Sequence, residues 1–135
     1  MKKIIVCMVI VALAATSCKK EPGIGGDASI KGKVYARKYN TTFTNLLSQG
    51  YVPDADVYII FGDDLTYSER IRTNYNGEFE FPHLYKGDYT LYVYSKDSAA
   101  IVNQQVLPED SAVVKKISIS ERKQEVDAGE MIIFK

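Results

Sequence analysis

The stretch that most constrains the fold of this chain is residues 73–93, where apolar side chains recur at alternate positions on both sides of a short polar corner. Successive side chains of a β-strand leave opposite faces of a sheet, so this spacing is typical of strands that bury one face. Asn76-Gly77 and Lys86-Gly87-Asp88 stand just before the two alternations, where turns are needed. The residues predicted to point inward are Phe79, Phe81, Tyr89, Leu91 and Val93.

Further short segments of strand-like composition follow one another at intervals of about 8–12 residues, and beyond the N-terminal apolar run none shows a sustained helical period. We therefore predict an all-β fold, a single antiparallel β-sandwich of about seven strands. The predicted strands are residues 29–37, 55–61, 65–73, 78–81, 88–94, 113–120 and 124–134, with a further short edge strand at 101–107.

Three local features refine this prediction. Gly32 falls on the inward parity of the first strand and leaves room there for a close neighbour. Pro82 has no N–H to donate, so we expect it to end its strand. Asp127-Ala128-Gly129 interrupts the last alternation and predicts a β-bulge.

Residues 38–52 form a long polar stretch that is either a functional loop or contains a short element. We expect Phe43, Leu46 and Leu47 to pack back onto the core rather than to line a ligand pocket. In residues 65–73, Tyr67 and Ile71 are expected to point inward, and the charges of that segment suit the edge of a sheet.

The N-terminus has the pattern of a secretory signal peptide. Lys2 and Lys3 precede an eleven-residue apolar run, residues 4–14, which is shorter than the roughly 20 residues that a membrane-spanning helix needs. The following Ala15-Thr16-Ser17-Cys18 resembles a bacterial lipobox, which implies cleavage before Cys18 and lipidation of its sulfur. We predict a cleaved signal peptide at 1–17, a lipidated cysteine and flexible tether at 18–28, and one domain at 29–135.

This interpretation predicts a cell-envelope protein anchored to a membrane by its lipid. Lys19, rather than Asp, follows the cysteine, which resembles lipoproteins that are sorted to the outer membrane; the periplasmic and surface faces both stay open. Loss of residues 1–17 removes Cys7, two lysines and no acid, leaving 15 basic and 17 acidic residues. A mature chain so close to neutral lacks the excess of positive charge that is typical of proteins that bind nucleic acid.

The order of motifs resembles one family, the carboxypeptidase regulatory-like domain, a transthyretin-like β-sandwich. The matching motifs are I-x-G-x-V from Ile30, P-x-A-x-V-x-I from Pro53, T-x-x-x-G-x-F-x-F from Thr73, L-x-x-G-x-Y-x-L-x-V from Leu84 and D-x-G-x-x-I from Asp127. The resemblance covers residues 29–134. Relatives occur as accessory domains of peptidases and uptake receptors, in adhesins and in carbohydrate-binding modules, so it implies a fold more than a function.

Nothing in the sequence forms a catalytic constellation. The only histidine, His83, follows Pro82 at a corner and has no supporting nucleophile motif. Zinc would need more His or Cys ligands than the mature chain offers, and Asp54, Asp56, Asp63 and Asp64 do not have the spacing of a calcium loop. We expect a non-enzymatic protein with no cofactor and no metal.

The residues that stand out are ten tyrosines in a chain without tryptophan. Tyr35, Tyr58, Tyr92 and Tyr94 fall on outward parities and form the predicted binding surface, although tyrosine also suits any half-exposed strand. If the second and fifth predicted strands pair, tyrosines from both share one face. We predict a protein that contacts an envelope protein or other envelope component; the alternative is a carbohydrate-binding accessory module that uses these tyrosines and residues 38–52.

Overall fold

In a computed structural model, the protein consists of two β-sheets packed face to face, and the structure describes residues 20–96 and 110–135. The strands are β1 (Ile24–Tyr39), β2 (Leu46–Tyr51), β3 (Asp56–Phe61), β4 (Glu69–Arg72), β5 (Glu78–Leu84), β6 (Gly87–Lys96), β7 (Asp110–Ile119) and β8 (Glu125–Phe134). The predicted all-β sandwich is confirmed. The predicted signal peptide, the lipidated Cys18 and the edge strand at 101–107 lie outside the described residues.

The long strand β1 organises the first sheet. It pairs antiparallel with β2 and β5 and parallel with β8, whereas the second sheet has the antiparallel order β4-β3-β6-β7. The parallel pair of β1 and β8 is a departure from the purely antiparallel sandwich that we expected. Within the described ranges there is no helix long and apolar enough to cross a membrane.

The core lies between the sheets and is filled by the alternate residues of both. Ile30, Val34 and Phe81 from the first sheet and Val57 and Leu91 from the second are each fully buried. The inward parities predicted for β1, β3, β5 and β6 are confirmed. Burial of this alternating apolar face is the main force that holds the two sheets together.

Gly32 has the close neighbour that its position predicts. A side chain there would meet the buried ring of Phe79 at 2.5 Å and the carbonyl oxygen of Gly129 at 3.0 Å. The predicted bulge in the last strand is also present, because Lys31 pairs with Asp127 while Lys33 pairs with Glu130. Gly129, at φ 71°, takes the left-handed conformation that this bulge requires.

Strand β1 begins at Ile24 rather than at residue 29, so part of the predicted tether belongs to the sandwich. Ala28 is buried, and Gly23 is held by the buried side chain of Tyr89. The Tyr89 hydroxyl accepts a hydrogen bond from the Gly23 N–H at 3.0 Å and donates one to the Tyr85 carbonyl at 2.7 Å. The sequence placed Tyr89 in the core correctly but gave no sign that its hydroxyl would fix the residues before β1.

Tyr89→Phe is expected to lower the free energy of unfolding by about 1–3 kcal/mol, because it leaves the Gly23 N–H and the Tyr85 carbonyl without this partner. Urea denaturation should show a lower midpoint at an unchanged slope. The matched control is Tyr75→Phe, since the Tyr75 side chain is 89% exposed. Equal midpoints for the two variants would contradict this role of the hydroxyl.

Pro82 does not end its strand, contrary to the prediction, since β5 continues to Leu84. Ile30 pairs with Phe81 and Ala28 with Leu84. Pro82 and His83 therefore form a bulge in β5, in which two residues lie opposite a single residue of β1. A proline is tolerated at a bulge because the ladder needs no N–H there. His83, at φ 58°, is exposed in the same bulge.

Two side-chain predictions are wrong. Residues 38–52 contain the short strand β2, but Leu46 and Leu47 are exposed and only Phe43 is half-buried. Tyr67 is also exposed, because it precedes β4 in a turn and so does not follow the parity of that strand. Ile71 does pack against the core, and β4 is the predicted edge strand.

Candidate functional site

Pairing of β3 with β6 places Tyr58 directly opposite Tyr92 on the outer face of the second sheet. The two rings are stacked, with centroids 4.8 Å apart and planes 7° apart. Tyr94 contacts both in edge-to-face geometry, at 5.4 Å from Tyr58 and 5.7 Å from Tyr92. Tyr67 meets Tyr58 at 5.0 Å from the turn before β4. We call Tyr58, Tyr67, Tyr92 and Tyr94 the tyrosine cluster.

The tyrosine cluster has a half-buried base and two exposed rings. Tyr58 and Tyr92 form the base, whereas Tyr94 is 59% exposed and Tyr67 is 50% exposed. Aromatic pairs in these geometries contribute about 0.5–1.5 kcal/mol each beyond their buried area. The base therefore holds the two exposed rings in place before any ligand arrives.

Apolar and basic residues border the tyrosine cluster. Val114 of β7 lies opposite Tyr92 and is exposed, while Arg70 of β4 lies opposite Tyr58. Asp56 accepts a hydrogen bond from Arg72 Nε at 3.3 Å and lies 3.9 Å from Arg70 Nε. Because Asp56 offsets part of the arginine charge, the surface around the cluster is only weakly cationic.

The Tyr92 hydroxyl keeps its proton at neutral pH. Burial raises the pKa of Tyr92 above its ordinary value, and the neighbouring hydroxyls of Tyr94, Tyr58 and Tyr67 raise it further. A phenol with a raised pKa keeps its proton and can both donate and accept hydrogen bonds. The cluster thus presents apolar rings together with uncharged polar groups.

Tyr35 belongs to a different surface from the other three predicted residues. It lies on the outer face of the first sheet, opposite Tyr51 of β2, with ring centroids 5.4 Å apart. Tyr51 in turn donates a hydrogen bond to Glu130. The prediction of a shared face holds for Tyr58, Tyr92 and Tyr94 and fails for Tyr35, because β1 lies in the other sheet.

The larger of the two surface grooves described, about 850 Å³, lies beside this first sheet, and most of its charged lining is mutually paired. Lys33 lies 3.1 Å from Glu78, and Lys31 pairs with both Glu125 and Glu80. Hydrogen bonds to Glu125 and Glu78 raise the pKa values of Lys31 and Lys33. Since most of its charges are already paired with one another, this groove is a weaker candidate than the tyrosine cluster.

The remaining sequence candidates are scattered. His83 lies in the β5 bulge, whereas Asp56 is paired with arginine on β4. Across residues 20–96 and 110–135, no three side chains of His, Cys, Asp or Glu lie close enough together to hold a metal ion. The surface position of Tyr67 was not predicted, although its place in the connection between Gly62 and β4 indicates that strand parity does not apply there.

No family model and no curated protein matches the chain. Similar solved structures include the following two. One, a Pseudomonas aeruginosa protein proposed to bind carbohydrate, is 15% identical with a TM-score of 0.47, over 91% of this chain and 94% of the other. The second, a 9R-lipoxygenase from Cyanothece, is 17% identical with a TM-score of 0.43, over 94% of this chain but only 20% of the lipoxygenase. The resemblance to the carboxypeptidase regulatory-like domain stays a prediction.

Proposed function

We propose that the chain is a lipid-anchored protein of the outer membrane whose sandwich is a non-enzymatic binding module, and that the tyrosine cluster binds glycans. The observation that carries this proposal is the contact of four tyrosine rings on one outer sheet face. An isolated exposed tyrosine needs no explanation, but a contiguous aromatic patch marks an interaction site.

The chemistry of the tyrosine cluster suits a sugar. A pyranose ring presents an apolar C–H face and a rim of hydroxyl groups, so its ligand site needs both aromatic rings and neutral hydrogen-bonding groups. The exposed rings of Tyr67 and Tyr94 supply the first. The tyrosine hydroxyl groups, among them that of Tyr92, whose pKa is raised by burial, supply the hydrogen-bonding groups.

A protein partner is the second candidate. Tyrosine and arginine are enriched among the residues that dominate the affinity of protein interfaces, and Arg70 and the exposed Val114 border the cluster. The motif resemblance supports a binding module of either kind. Under this candidate, an envelope protein rather than a glycan would cover the same four rings.

A glycan array probed with the full chain, purified in detergent, tests the first candidate against the second. We expect binding to a restricted set of glycans, and loss of that binding in Tyr94→Ala. Crosslinking in intact cells followed by mass spectrometry tests the second candidate. No glycan bound, with a protein crosslinked to the wild type but not to Tyr94→Ala, would overturn the glycan proposal.

The anchor has its own test. Cys18→Ser is expected to move the protein from the membrane fraction to the soluble fraction, because a serine cannot take a thioether-linked lipid. Cys7→Ser is the matched control and should stay in membranes, since Cys7 lies inside the apolar run of the signal peptide. Incorporation of labelled palmitate should follow the same pattern. Membrane retention and labelling of Cys18→Ser would refute lipidation at this residue.

A further inference from the structure

A second groove, of 530 Å³, lies where the ends of three strands meet. The last residue of β1 is joined to the residue that follows β8 by a hydrogen bond from the Tyr39 N–H to the Lys135 carbonyl at 2.7 Å. The end of β6 reaches the same place, since Ser95 Oγ accepts a hydrogen bond from the Phe134 N–H at 2.8 Å. The groove residues that matter below are Lys38, Tyr39, Phe43, Leu47, Lys96 and Lys135.

The groove has an aromatic and apolar wall. The rings of Tyr39 and Phe43 are stacked with centroids 6.1 Å apart and planes 25° apart. Leu47, which was expected to pack onto the core, lines this groove and is 62% exposed. The wall therefore presents apolar surface to solvent, where it is available to a ligand.

Phe43 is held in an unfavourable backbone conformation, φ 53°, which bulky side chains rarely adopt. The side chain of Asn40 stabilises the turn, because its Oδ1 accepts hydrogen bonds from the N–H groups of Thr44 at 2.8 Å and Asn45 at 3.1 Å. The Phe43 ring is thereby fixed against Tyr39 in advance, which lowers the entropy that a ligand would lose on binding.

The groove is basic, because Lys38, Lys96 and Lys135 line it. Lys96 lies 2.5 Å from Asp110. Among residues 20–96 and 110–135, neither Lys38 nor Lys135 has an acidic side chain within 4.0 Å. Among the described residues that line the groove, positive charge exceeds negative charge, and the excess is larger than on the weakly cationic surface around the tyrosine cluster.

The groove lies at the end of the sandwich remote from Ile24, the first residue of β1. β1 has 16 residues, and at about 3.3 Å per residue it separates Ile24 from Tyr39 by roughly 50 Å. Under the proposed anchoring at Cys18, the groove faces away from the membrane that holds the protein. A lipid headgroup of that membrane is therefore a poor match for it.

We propose that this groove binds an acidic sugar unit, with its ring against Tyr39 and Phe43 and its carboxylate between Lys38 and Lys135. The choice of a saccharide rests on the proposed glycan-binding function, but the site is separate from the tyrosine cluster. An acidic sugar has both parts that the groove requires, an apolar ring face and a fixed negative charge.

The test is calorimetric titration of the full chain in detergent with polygalacturonate and with its fully methyl-esterified form, which has the same rings without the charge. We expect at least roughly tenfold tighter binding of the acid, the size of one charge-assisted contact. Lys38→Glu and Lys135→Glu should each remove that difference. Lys123→Glu, in the exposed turn at the opposite end, should keep it.

Three outcomes would overturn the proposal: equal binding of the acid and its ester, unchanged binding in Lys38→Glu and Lys135→Glu, or Lys38-dependent binding to phosphatidylglycerol vesicles without binding to polygalacturonate. Phe43→Ala should weaken binding of the acid, since it removes the aromatic wall. Polygalacturonate binding that survives Tyr94→Ala assigns this ligand to the groove rather than to the tyrosine cluster. Loss of glycan binding at the cluster can therefore be told apart from loss of polygalacturonate binding at the groove.

Discussion

Gly32→Val is expected to lower the free energy of unfolding by about 3 kcal/mol or more. A side chain at this position would lie 2.5 Å from the Phe79 ring and 3.0 Å from the Gly129 carbonyl, so the core or the β8 bulge has to move. Overpacking of a filled core costs roughly 1–3 kcal/mol, and a clash with backbone adds to this. Domains of this size are stable by only about 5–15 kcal/mol, so a large share of the protein should be unfolded at modest temperature. Thermal and urea denaturation measure the effect.

Gly50→Val is the matched control for this prediction. Gly50 also lies within a strand of the first sheet, but a side chain there would meet nothing within 4 Å. Valine favours strands, so this variant should be as stable as the wild type or slightly more stable. In a double-mutant cycle, Gly32→Ala combined with Phe79→Leu should be less destabilised than the sum of the two single variants. The smaller leucine side chain frees the space that the added methyl group needs. Equal stability of Gly32→Val and Gly50→Val would contradict the packing described for β1.

Tyr67→Ala combined with Tyr94→Ala is expected to weaken glycan binding by roughly 100-fold, about tenfold for each exposed ring removed. Both side chains lie at the surface, and the stacked pair of Tyr58 and Tyr92 stays in place beneath them. The core is untouched, so the fold should survive, although loss of the ring contacts Tyr58–Tyr67, Tyr58–Tyr94 and Tyr92–Tyr94 should lower the free energy of unfolding by roughly 1.5–4.5 kcal/mol. Titration with the best ligand from the array measures the affinity, and circular dichroism checks the fold.

Tyr75→Ala is the control for the loss of a tyrosine ring as such. Tyr75 is 89% exposed in the turn before β5 and has none of the ring contacts of the cluster. Its removal should leave the affinity unchanged. If Tyr75→Ala weakens binding as much as the double variant does, the effect is not specific to the tyrosine cluster.

The parts of the fold that local sequence could predict are those that depend on residues close together in the chain. Alternation placed Val57, Phe81 and Leu91 in the core, because side-chain direction along a strand repeats every two residues. The Asp127-Ala128-Gly129 bulge was visible for the same reason, as an interruption of that repeat followed by a glycine. Gly32 was recognisable because an inward position without a side chain needs a neighbour to fill it.

The features that sequence could not predict depend on which strands are neighbours. The parallel pair of β1 and β8 joins residues about a hundred positions apart, and no local pattern encodes it. Pro82 was expected to end its strand because it has no N–H to donate, whereas pairing with β1 places it in a bulge of β5 where no N–H is needed. The tyrosine cluster needed both kinds of information: parity placed Tyr58 and Tyr92 outward, but only sheet order separates Tyr35 from them.

The most direct test of the central claim, that the tyrosine cluster is a glycan-binding surface, is an NMR titration of the full chain with ring-labelled tyrosines. On addition of the glycan selected by the array, we predict that the ring signals of Tyr67 and Tyr94 shift most and those of Tyr58 and Tyr92 shift less. The signals of Tyr35 and Tyr75 should stay in place. Shifts confined to Tyr35, Tyr51 or Tyr75, with the tyrosine cluster unchanged, would contradict the claim.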